Sequence, residues 1–452
     1  MKAIIKLKFL PIVMCAIASV NAHAYEMIEG VLENSTIYPG TVHKFSVTIP
    51  NGYDATSEAA LFVGLDGVMC DAPGVFDNLI AEGAMPTTIG VYLIPGVIKD
   101  ESGEVLRYNR SNEFDATDAR FAEFLETELL PAVKKMTTPA GKPIKISDNP
   151  QMHAIYGLSS GGIAAFNAAW HRPDLFGKVF MGCATLVPMR GGHNLQAIVR
   201  KHEPKPIKIM LQDTFHDTWN PLFGSWYEAN VLMASALEFA GYDVKSDWVE
   251  GGHSPARACE IFPDVMRWLW NPADSSRATS NNLLAPMLIN GEEWVECGGE
   301  QMSLSTGAGM RRAIYPDGTL VASCGDEKSN FLNQSIINKQ GKEENLQRFY
   351  WLHSYDNAAV QIGGMAFAGA GNLWVLTNAG IQICDQNGRV RGILSIPSGI
   401  EVDKTGISIL PSEEDGISQV ILIAPSGKSL YKRNFRLSHP QQGIRPASQG
   451  QG

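Results

Sequence analysis

Residues 157–162, GLSSGG, constrain the fold more than any other feature, because they join a strand pattern to a helix pattern. An apolar run at 152–156 precedes them, and an alanine-rich segment at 163–170 follows. Residues 157–161 match G-x-S-x-G, which is typical of a sharp turn that presents a nucleophilic serine. In this register Ser159 is the nucleophile, and the backbone N–H of Ser160 points into an oxyanion hole. The alternative is an ordinary turn in which the glycines only supply conformational freedom.

The same alternation of strand and helix patterns extends over residues 25–272. Continuous apolar strands separated by helices are typical of a mostly parallel sheet covered on both faces. We therefore predict an α/β fold for this region. The expected strands are 59–65, 88–94, 152–156, 178–183, 207–211 and 244–249, and the expected helices are 114–135, 163–170, 229–240 and 261–269.

The two ends and the second half of the chain have other compositions. Residues 1–24 combine a basic start, an apolar run and an A-x-A site, which predicts a secretory signal peptide and an exported protein. Residues 273–290 are polar at their start and predict a linker. Short β-type runs between glycine turns over 291–438 predict a smaller all-β, propeller-like domain. The Gln- and Gly-rich residues 439–452 predict a flexible tail.

Charge and cysteine content narrow the classes of partner. The chain carries 47 acidic residues against 37 Lys and Arg, so we expect no nucleic acid partner. The sequence contains no run of 18 apolar residues, so we predict no membrane span. Six cysteines follow the predicted signal peptide, in wide, irregular spacings without a paired C-x-x-C metal signature. One or more disulfides, and a homo-oligomer, are left open.

A serine nucleophile needs a base, and the base needs an orienting acid. In the predicted fold they follow Ser159 in the order acid, then histidine. His253 lies directly after a predicted strand and before the last helix, so we predict that it is the base. The acid is expected on the loop after strand 207–211. We assign Asp217, with Asp213 as the alternative.

A second oxyanion donor is expected after an early strand. The N–H of Gly67 or Val68 fits, because strand 59–65 ends just before them. His193, Trp219 and Trp226 are candidate substrate-pocket residues, each with a purely structural alternative. We predict no metal and no cofactor for this chemistry.

With these residues in place, the first domain resembles the enterochelin esterase-like group of the esterase D family of α/β-hydrolases. The stretches that carry the resemblance are LDG at 65–67, RSNEFD at 110–115, GLSSGG at 157–162, WHRPD at 170–174, LQDTFHD at 211–217 and GGH at 251–253. The resemblance implies a metal-free serine hydrolase of carboxylic esters. It places nucleophile, acid and base at Ser159, Asp217 and His253. Family substrates range from siderophores to sugar esters, and related mycolyltransferases make an acyltransferase the alternative.

The second region resembles part of a gluconolactonase-like β-propeller. The similar stretches are YPDG at 315–318, WLH at 351–353, GMA at 364–366, NLWVLT at 372–377, GIQI at 380–383 and DQNGR at 385–389. The region is about half the length of a whole propeller of that family. We expect an accessory or dimer-forming domain, and a metal-dependent lactonase or a carbohydrate-binding module is the alternative. The combined prediction is an exported esterase acting on sugar-linked, aromatic (feruloyl or acetyl) or siderophore esters.

Overall fold

The structure, a computed structural model, describes residues 25–272, 278–303, 309–325, 329–355, 360–368, 371–412, 414 and 416–437. The predicted signal peptide, the first part of the predicted linker and the predicted tail lie outside the described residues. Among the described residues, no helix is both long enough and apolar enough to cross a membrane.

The first half of the chain is an α/β-hydrolase-type domain built on a large mixed sheet. Its strands are β1 (Glu26–Leu32), β2 (His43–Ile49), β3 (Ala60–Leu65), β4 (Thr88–Leu93), β5 (Val97–Lys99), β6 (Val105–Tyr108), β7 (His153–Leu158), β8 (Lys178–Gly182), β9 (Lys208–Thr214), β10 (Trp219–Asn220), β11 (Gly224–Ser225) and β12 (Asp243–Val249). Its helices are α1 (Ala72–Ala81), α2 (Arg110–Phe114), α3 (Arg120–Phe124), α4 (Leu130–Lys134), α5 (Ser160–His171), α6 (Leu195–Lys201), α7 (Trp226–Ala240) and α8 (Ala256–Trp270).

Eight strands form the sheet, in the order β1-β2-β4-β3-β7-β8-β9-β12. The first two pairings are antiparallel, and the pairings from β4 to β12 are all parallel. The inner strands β3, β4, β7, β8 and β9 are buried along their whole length, which explains their continuous apolar sequence. Because parallel strands end at one edge, the loops after β3, β7, β9 and β12 meet there.

The prediction of one helix over 114–135 is wrong for residues 115–119, which are not helical. It also did not include a change of helix type in the middle of the segment. Helix α2 ends at Phe114, and the next helical turn begins at Arg120. The segment between them is held by α5, since Asn167 Nδ2 donates to the Ala116 carbonyl. A π-helical turn, Leu125–Leu129, then precedes α4. Pro131 lacks an N–H and so interrupts the regular hydrogen-bond ladder there.

The second half of the chain is all-β. Its strands are β13 (Val295–Glu296), β14 (Arg312–Ile314), β15 (Leu320–Cys324), β16 (Phe331–Ile337), β17 (Glu343–Trp351), β18 (Ile362–Ala368), β19 (Asn372–Thr377), β20 (Gly380–Cys384), β21 (Val390–Leu394), β22 (Gly406–Pro411), β23 (Ile417–Ile423) and β24 (Ser429–Arg436). They form three four-stranded antiparallel sheets, ordered β14-β15-β16-β17, β18-β19-β20-β21 and β13-β24-β23-β22. Leu284 and Met287, within the predicted linker, are buried in the core of this half.

The two halves contact each other through a buried polar interface. Arg433 on β24 donates to both carboxylate oxygens of Glu203, at 3.0 and 2.7 Å. Trp170 Nε1 donates to Tyr355 Oη at 2.8 Å. Trp170 lies near the end of α5 and Glu203 precedes β9, so both contacts lie at the amino edge of the parallel strands. The all-β half therefore docks at the sheet edge opposite the loops that follow β3, β7, β9 and β12.

A disulfide joins Cys70, just before α1, to Cys259 on α8, 189 residues later. Cys183, Cys297, Cys324 and Cys384 are free. In the chain-entropy model, closing a loop of this length restricts the unfolded state by roughly 5 kcal/mol.

Candidate active site

The turn between β7 and α5 places Ser159 in a strained conformation. Its φ and ψ are 55° and −120°, outside the regions that ordinary residues favour. Gly157 is required here, because a Cβ at that position would lie 2.2 Å from the Gly161 carbonyl oxygen. The turn is fixed by two backbone bonds, from Ser159 N–H to Gly182 and from Thr185 N–H to Ser159. The elbow thus exposes the serine hydroxyl at the carboxyl edge of the sheet.

The Ser159 hydroxyl lies 3.3 Å from the hydroxyl of Thr185, within hydrogen-bond distance. Thr185 is buried, and its Oγ1 also accepts a hydrogen bond from Trp226 Nε1 at 3.3 Å. Trp226 therefore reaches the site through Thr185, and it is itself buried. Thr185 could not be predicted from the sequence, because it is 26 residues from Ser159 and lies in no motif.

His253 and Asp217 form a close pair. Nδ1 of His253 lies 2.6 Å from Oδ1 of Asp217, which leaves Nε2 available to a nucleophile. The Asp217 side chain is fully buried, whereas that of His253 is one-third exposed. Burial acts to raise the pKa of Asp217, but hydrogen bonds from His253, Asp213 and the Thr218 N–H outweigh it and lower that pKa. Within the described chain His253 forms no hydrogen bond to Ser159.

Asp213, the alternative acid, lies beside Asp217 but does not contact His253. Its carboxyl accepts hydrogen bonds from the Thr214 N–H and from Asn230 Nδ2, at 2.7 and 2.9 Å. Burial, together with the hydrogen bond and negative charge of Asp217, raises the pKa of Asp213 to about 8. Oδ2 of Asp217 is buried and has no hydrogen-bond partner among the described residues. Because its pKa is raised, Asp213 is the member of the pair that holds a proton. The pair therefore carries one negative charge at neutral pH.

The predicted oxyanion donors differ in availability. The Gly67 N–H donates to the Leu93 carbonyl at 3.0 Å, so it is occupied within the fold. The Val68 N–H has no hydrogen-bond partner among the described residues, and Val68 remains the candidate from this loop. Ser160 begins α5, so its N–H has no acceptor inside the helix.

Arg110 ties the loop after β3 to the elbow. Its Nε and Nη2 donate to the two carboxylate oxygens of Asp66 at 2.7 and 2.8 Å, and Nη2 also lies 3.4 Å from the Leu158 carbonyl oxygen. Asp66 has a positive φ of 65°. The bidentate pair holds this strained residue next to Ser159. Both residues lie in stretches that carry the family resemblance, LDG at 65–67 and RSNEFD at 110–115, but neither motif indicates this ion pair.

Cys183 is a buried free thiol at the same edge. Its Sγ lies 3.9 Å from Gln212 Oε1 and 3.7 Å from the Ser254 carbonyl oxygen. Burial, with the negative charges of Asp213 and Asp217, raises the pKa of the thiol to about 12. The thiol is therefore neutral and has no part in a serine-based mechanism.

The other predicted pocket residues are exposed. Trp219, on the hairpin of β10 and β11, is 71% exposed and follows Asp217 by two residues. His193 is exposed on a short turn at Gly192–Asn194. Among the described residues, no hydrogen bond or ion pair joins His193 to Ser159, Asp217 or His253.

Comparisons with known proteins address the fold and family. A family model described as "Putative esterase" matches residues 37–278, more than half of the chain. This match confirms the esterase part of the resemblance. No curated protein matches the chain.

Solved structures similar to this chain include three esterases. An enterobactin esterase from Shigella flexneri, solved with 2,3-di-hydroxy-N-benzoyl-serine, is 21% identical, with a TM-score of 0.43. The match covers 55% of this chain and 60% of that one. A ferulic acid esterase is 16% identical over 55% of this chain and 98% of that chain, with a TM-score of 0.40. A feruloyl esterase module from Clostridium thermocellum, complexed with sinapinate, is 12% identical over 55% and 89%, with a TM-score of 0.38.

Proposed function

The chain belongs to the esterase family, a family of carboxylic ester hydrolases, and we propose that it is an exported serine esterase with the triad Ser159, His253 and Asp217. The observation that carries this proposal is the strained serine elbow at the same sheet edge as a buried carboxylate bonded to a histidine. Each residue follows the end of a different strand, as in the α/β-hydrolase arrangement of such a triad.

In the proposed reaction, Ser159 Oγ attacks the ester carbonyl and His253 Nε2 takes its proton. The Ser160 and Val68 N–H groups stabilise the oxyanion. His253 then protonates the leaving alkoxide, and water, deprotonated by the same nitrogen, releases the acid from the acyl-enzyme. In the structure the Ser159 hydroxyl lies within hydrogen-bond distance of Thr185, and among the described residues it forms no hydrogen bond to His253, so the two side chains must come within hydrogen-bond distance before attack. Thr185 thus holds the resting hydroxyl.

The aromatic side chains near Asp217 favour an aromatic or sugar-linked acyl ester. Phe215 and Trp219 lie two residues on either side of Asp217, and both are exposed, at 43% and 71%. Exposed aromatic surface next to a catalytic loop suits stacking on a feruloyl group or a sugar ring. Siderophore esters with aromatic acyl groups fit the same surface. An acyltransferase would use the same triad with an alcohol in place of water.

We propose that the three four-stranded sheets of the second half are blades of a partial propeller. Each is a four-stranded antiparallel sheet, as a blade is. Since this half docks at the edge opposite Ser159, we assign it an accessory role. Export is supported by the pattern of residues 1–24 and by the Cys70–Cys259 disulfide, a bond that persists in oxidising compartments.

The triad is tested with the purified chain and two neighbouring serine variants, Ser159→Ala and Ser160→Ala, on p-nitrophenyl acetate and methyl ferulate. Ser159→Ala is expected to lower kcat by about 10⁴-fold or more. Ser160→Ala keeps its N–H and loses only a hydroxyl, so it should lose far less. Equal activity of Ser159→Ala and wild type would refute the proposal.

Adding EDTA to the same assays separates the proposed esterase from a lactonase in the β half. A serine esterase keeps its activity in EDTA, and a metal-dependent lactonase loses it. Activity that survives Ser159→Ala but disappears with EDTA would move the chemistry to the β half.

A further inference from the structure

A set of three metal-binding donors lies inside the proposed active site. Cys183 offers Sγ, Asp217 a carboxylate oxygen and His253 a ring nitrogen, and these atoms all lie within 4.8 Å of one another. Across the described residues, no other group of three His, Cys, Asp or Glu side chains comes together in this way. The proposed ester hydrolysis uses Asp217 and His253 and leaves Cys183 without a function.

The donor types select one class of cation. A thiolate, an imidazole and a carboxylate together suit Zn²⁺ and softer divalent ions such as Cd²⁺. Mg²⁺ and Ca²⁺ prefer shells made only of oxygen, so the thiol makes this set a poor site for them.

A cation can join the three donors after small movements and the loss of one hydrogen bond. Zinc binds sulfur at about 2.3 Å and nitrogen at about 2.0 Å, so neighbouring ligands in one shell lie roughly 3.5 Å apart. The Cys183 sulfur must therefore approach the other two donors by up to about 1 Å. His253 Nδ1 and Asp217 Oδ1, now 2.6 Å apart, must give up their hydrogen bond when Asp217 and His253 bind the cation. His253 lies on the loop between β12 and α8, and its side chain is one-third exposed. That exposure gives the cation a route from solvent to the two buried donors.

We propose that Cys183, Asp217 and His253 form an inhibitory site for a soft or borderline divalent cation such as Zn²⁺. On binding, the Cys183 thiol releases its proton to water and the sulfur bonds the metal, with no change of oxidation state. The metal then holds the histidine that Ser159 needs as a base. The binding site stands on geometry alone, and its inhibitory effect rests on the proposed function.

Metal binding is tested first, by a titration that does not depend on enzymatic activity. The full chain carrying Ser159→Ala retains all three donors and is titrated with Cd²⁺, whose bond to a thiolate produces an ultraviolet charge-transfer band. We expect one bound Cd²⁺ per chain with this band. Adding Cys183→Ala should abolish it, whereas adding Cys297→Ser, which removes a more accessible free thiol, should leave it unchanged. A band that persists with Cys183→Ala would overturn the site.

Inhibition is tested second, with each protein normalised to its own metal-free activity on p-nitrophenyl acetate. We expect Zn²⁺ to inhibit wild type and Cys297→Ser equally, and EDTA to restore both. Cys183→Ser should need about tenfold or more Zn²⁺ for the same inhibition, because a hydroxyl is a poor zinc ligand. Equal sensitivity of Cys183→Ser would overturn the proposal.

The two proposals fail in different ways. If wild type hydrolyses no ester, the proposed function fails, and the Cd²⁺ titration still decides the site. If Cys183→Ala does not fold, as judged by circular dichroism, Cys183→Ser takes its place in the titration. The same loss of the band is expected, because the thiolate is gone.

Discussion

The esterase half and the β half differ in where their backbone is strained. Among the described residues, seven non-glycine residues have a positive φ, and six of them precede residue 184. Five of the six, Asp66, Cys70, Asp71, Ser159 and Cys183, lie on the loops around the proposed site. Only Asn345 belongs to the β half. The turns of the β half place glycine where a positive φ is needed, as at Gly318 and Gly388.

This difference teaches what each half is built for. A strained residue persists only where the surrounding structure forces it, and such residues cluster where groups must be aimed. Ser159, Asp66 and Cys183 are held in place by Gly157, Arg110 and a bond from the Cys183 N–H to the Gln212 carbonyl. The β half contains register shifts in four of its strand pairings, but glycine occupies the turns that need a positive φ, so its backbone carries little strain.

The largest expected effect is a difference in kcat between variants of the two buried carboxylates of the esterase half, Asp217 and Asp213. Asp217→Asn should lower kcat by about 10⁴-fold, because an amide cannot orient and stabilise a histidine cation. Asp213→Asn is the matched control. Its amide is neutral, like the protonated acid, and has nearly the same shape, so this variant should lose about tenfold at most. Steady-state kinetics on p-nitrophenyl acetate measure both, and equal losses would reject the assignment of Asp217.

The next largest effect is on stability, and it tests whether the β half contributes only to stability and not to catalysis. Arg433→Ala leaves Glu203 buried without its partner, which should cost about 3–5 kcal/mol in the free energy of unfolding by urea. Arg389→Ala, which removes a surface ion pair with Asp385, should cost about 1 kcal/mol or less. Folded Arg433→Ala should retain the wild-type kcat/KM. A lower kcat/KM at unchanged stability would instead link the β half to catalysis.

A smaller effect is the pH dependence of stability, which tests the raised pKa of Asp213. Its pKa is raised from 3.8 to about 8 on folding, chiefly by burial. Its contribution to stability is thus fully present below pH 3.8 and is lost as pH rises towards about 8. Asp213→Asn cannot ionise, so the stability advantage of wild type over this variant should shrink between pH 5 and pH 8. Urea unfolding at both values measures it, and a constant difference would contradict the raised pKa.

The smallest effect compares the strained residues of the two halves directly. Asn345→Gly should change the free energy of unfolding by less than about 1 kcal/mol, because relief of the positive φ is offset by the freedom of glycine in the unfolded chain. Asp66→Gly relieves the same kind of strain but removes the carboxylate that Arg110 holds. We expect a roughly tenfold lower kcat/KM there, about 1.4 kcal/mol. Equal kinetic behaviour of the two variants would erase the distinction.

Much of the esterase half could be predicted from local pattern. The buried parallel strands have continuous apolar sequences, and the register of Gly157 and Gly161 distinguished Ser159 from Ser160. The pairing of His253 with Asp217 followed from their positions after strands. These signals are local, or depend only on strand order, so a sequence contains them directly.

The rest depends on tertiary contacts that no local pattern encodes. Thr185 and Cys183 reach the site only because β8 lies beside β7 in the sheet. Cys70 and Cys259 are 189 residues apart, and six cysteines allow many pairings. The break after Phe114 arises from bonds to α5, against a helical pattern that continues through it.

The Cys70–Cys259 bond also turns the intervening chain into a covalent ring. Ser159, Thr185, Asp217 and His253 all lie on that ring, together with five of the sheet strands. A protease that cuts one exposed loop within it, such as the β10–β11 hairpin, opens the ring without separating the residues of the proposed site. The nicked enzyme would stay one molecule on a non-reducing gel and fall into two pieces on a reducing one. This topology therefore allows the chain to be cut once within the ring and remain a single covalent molecule.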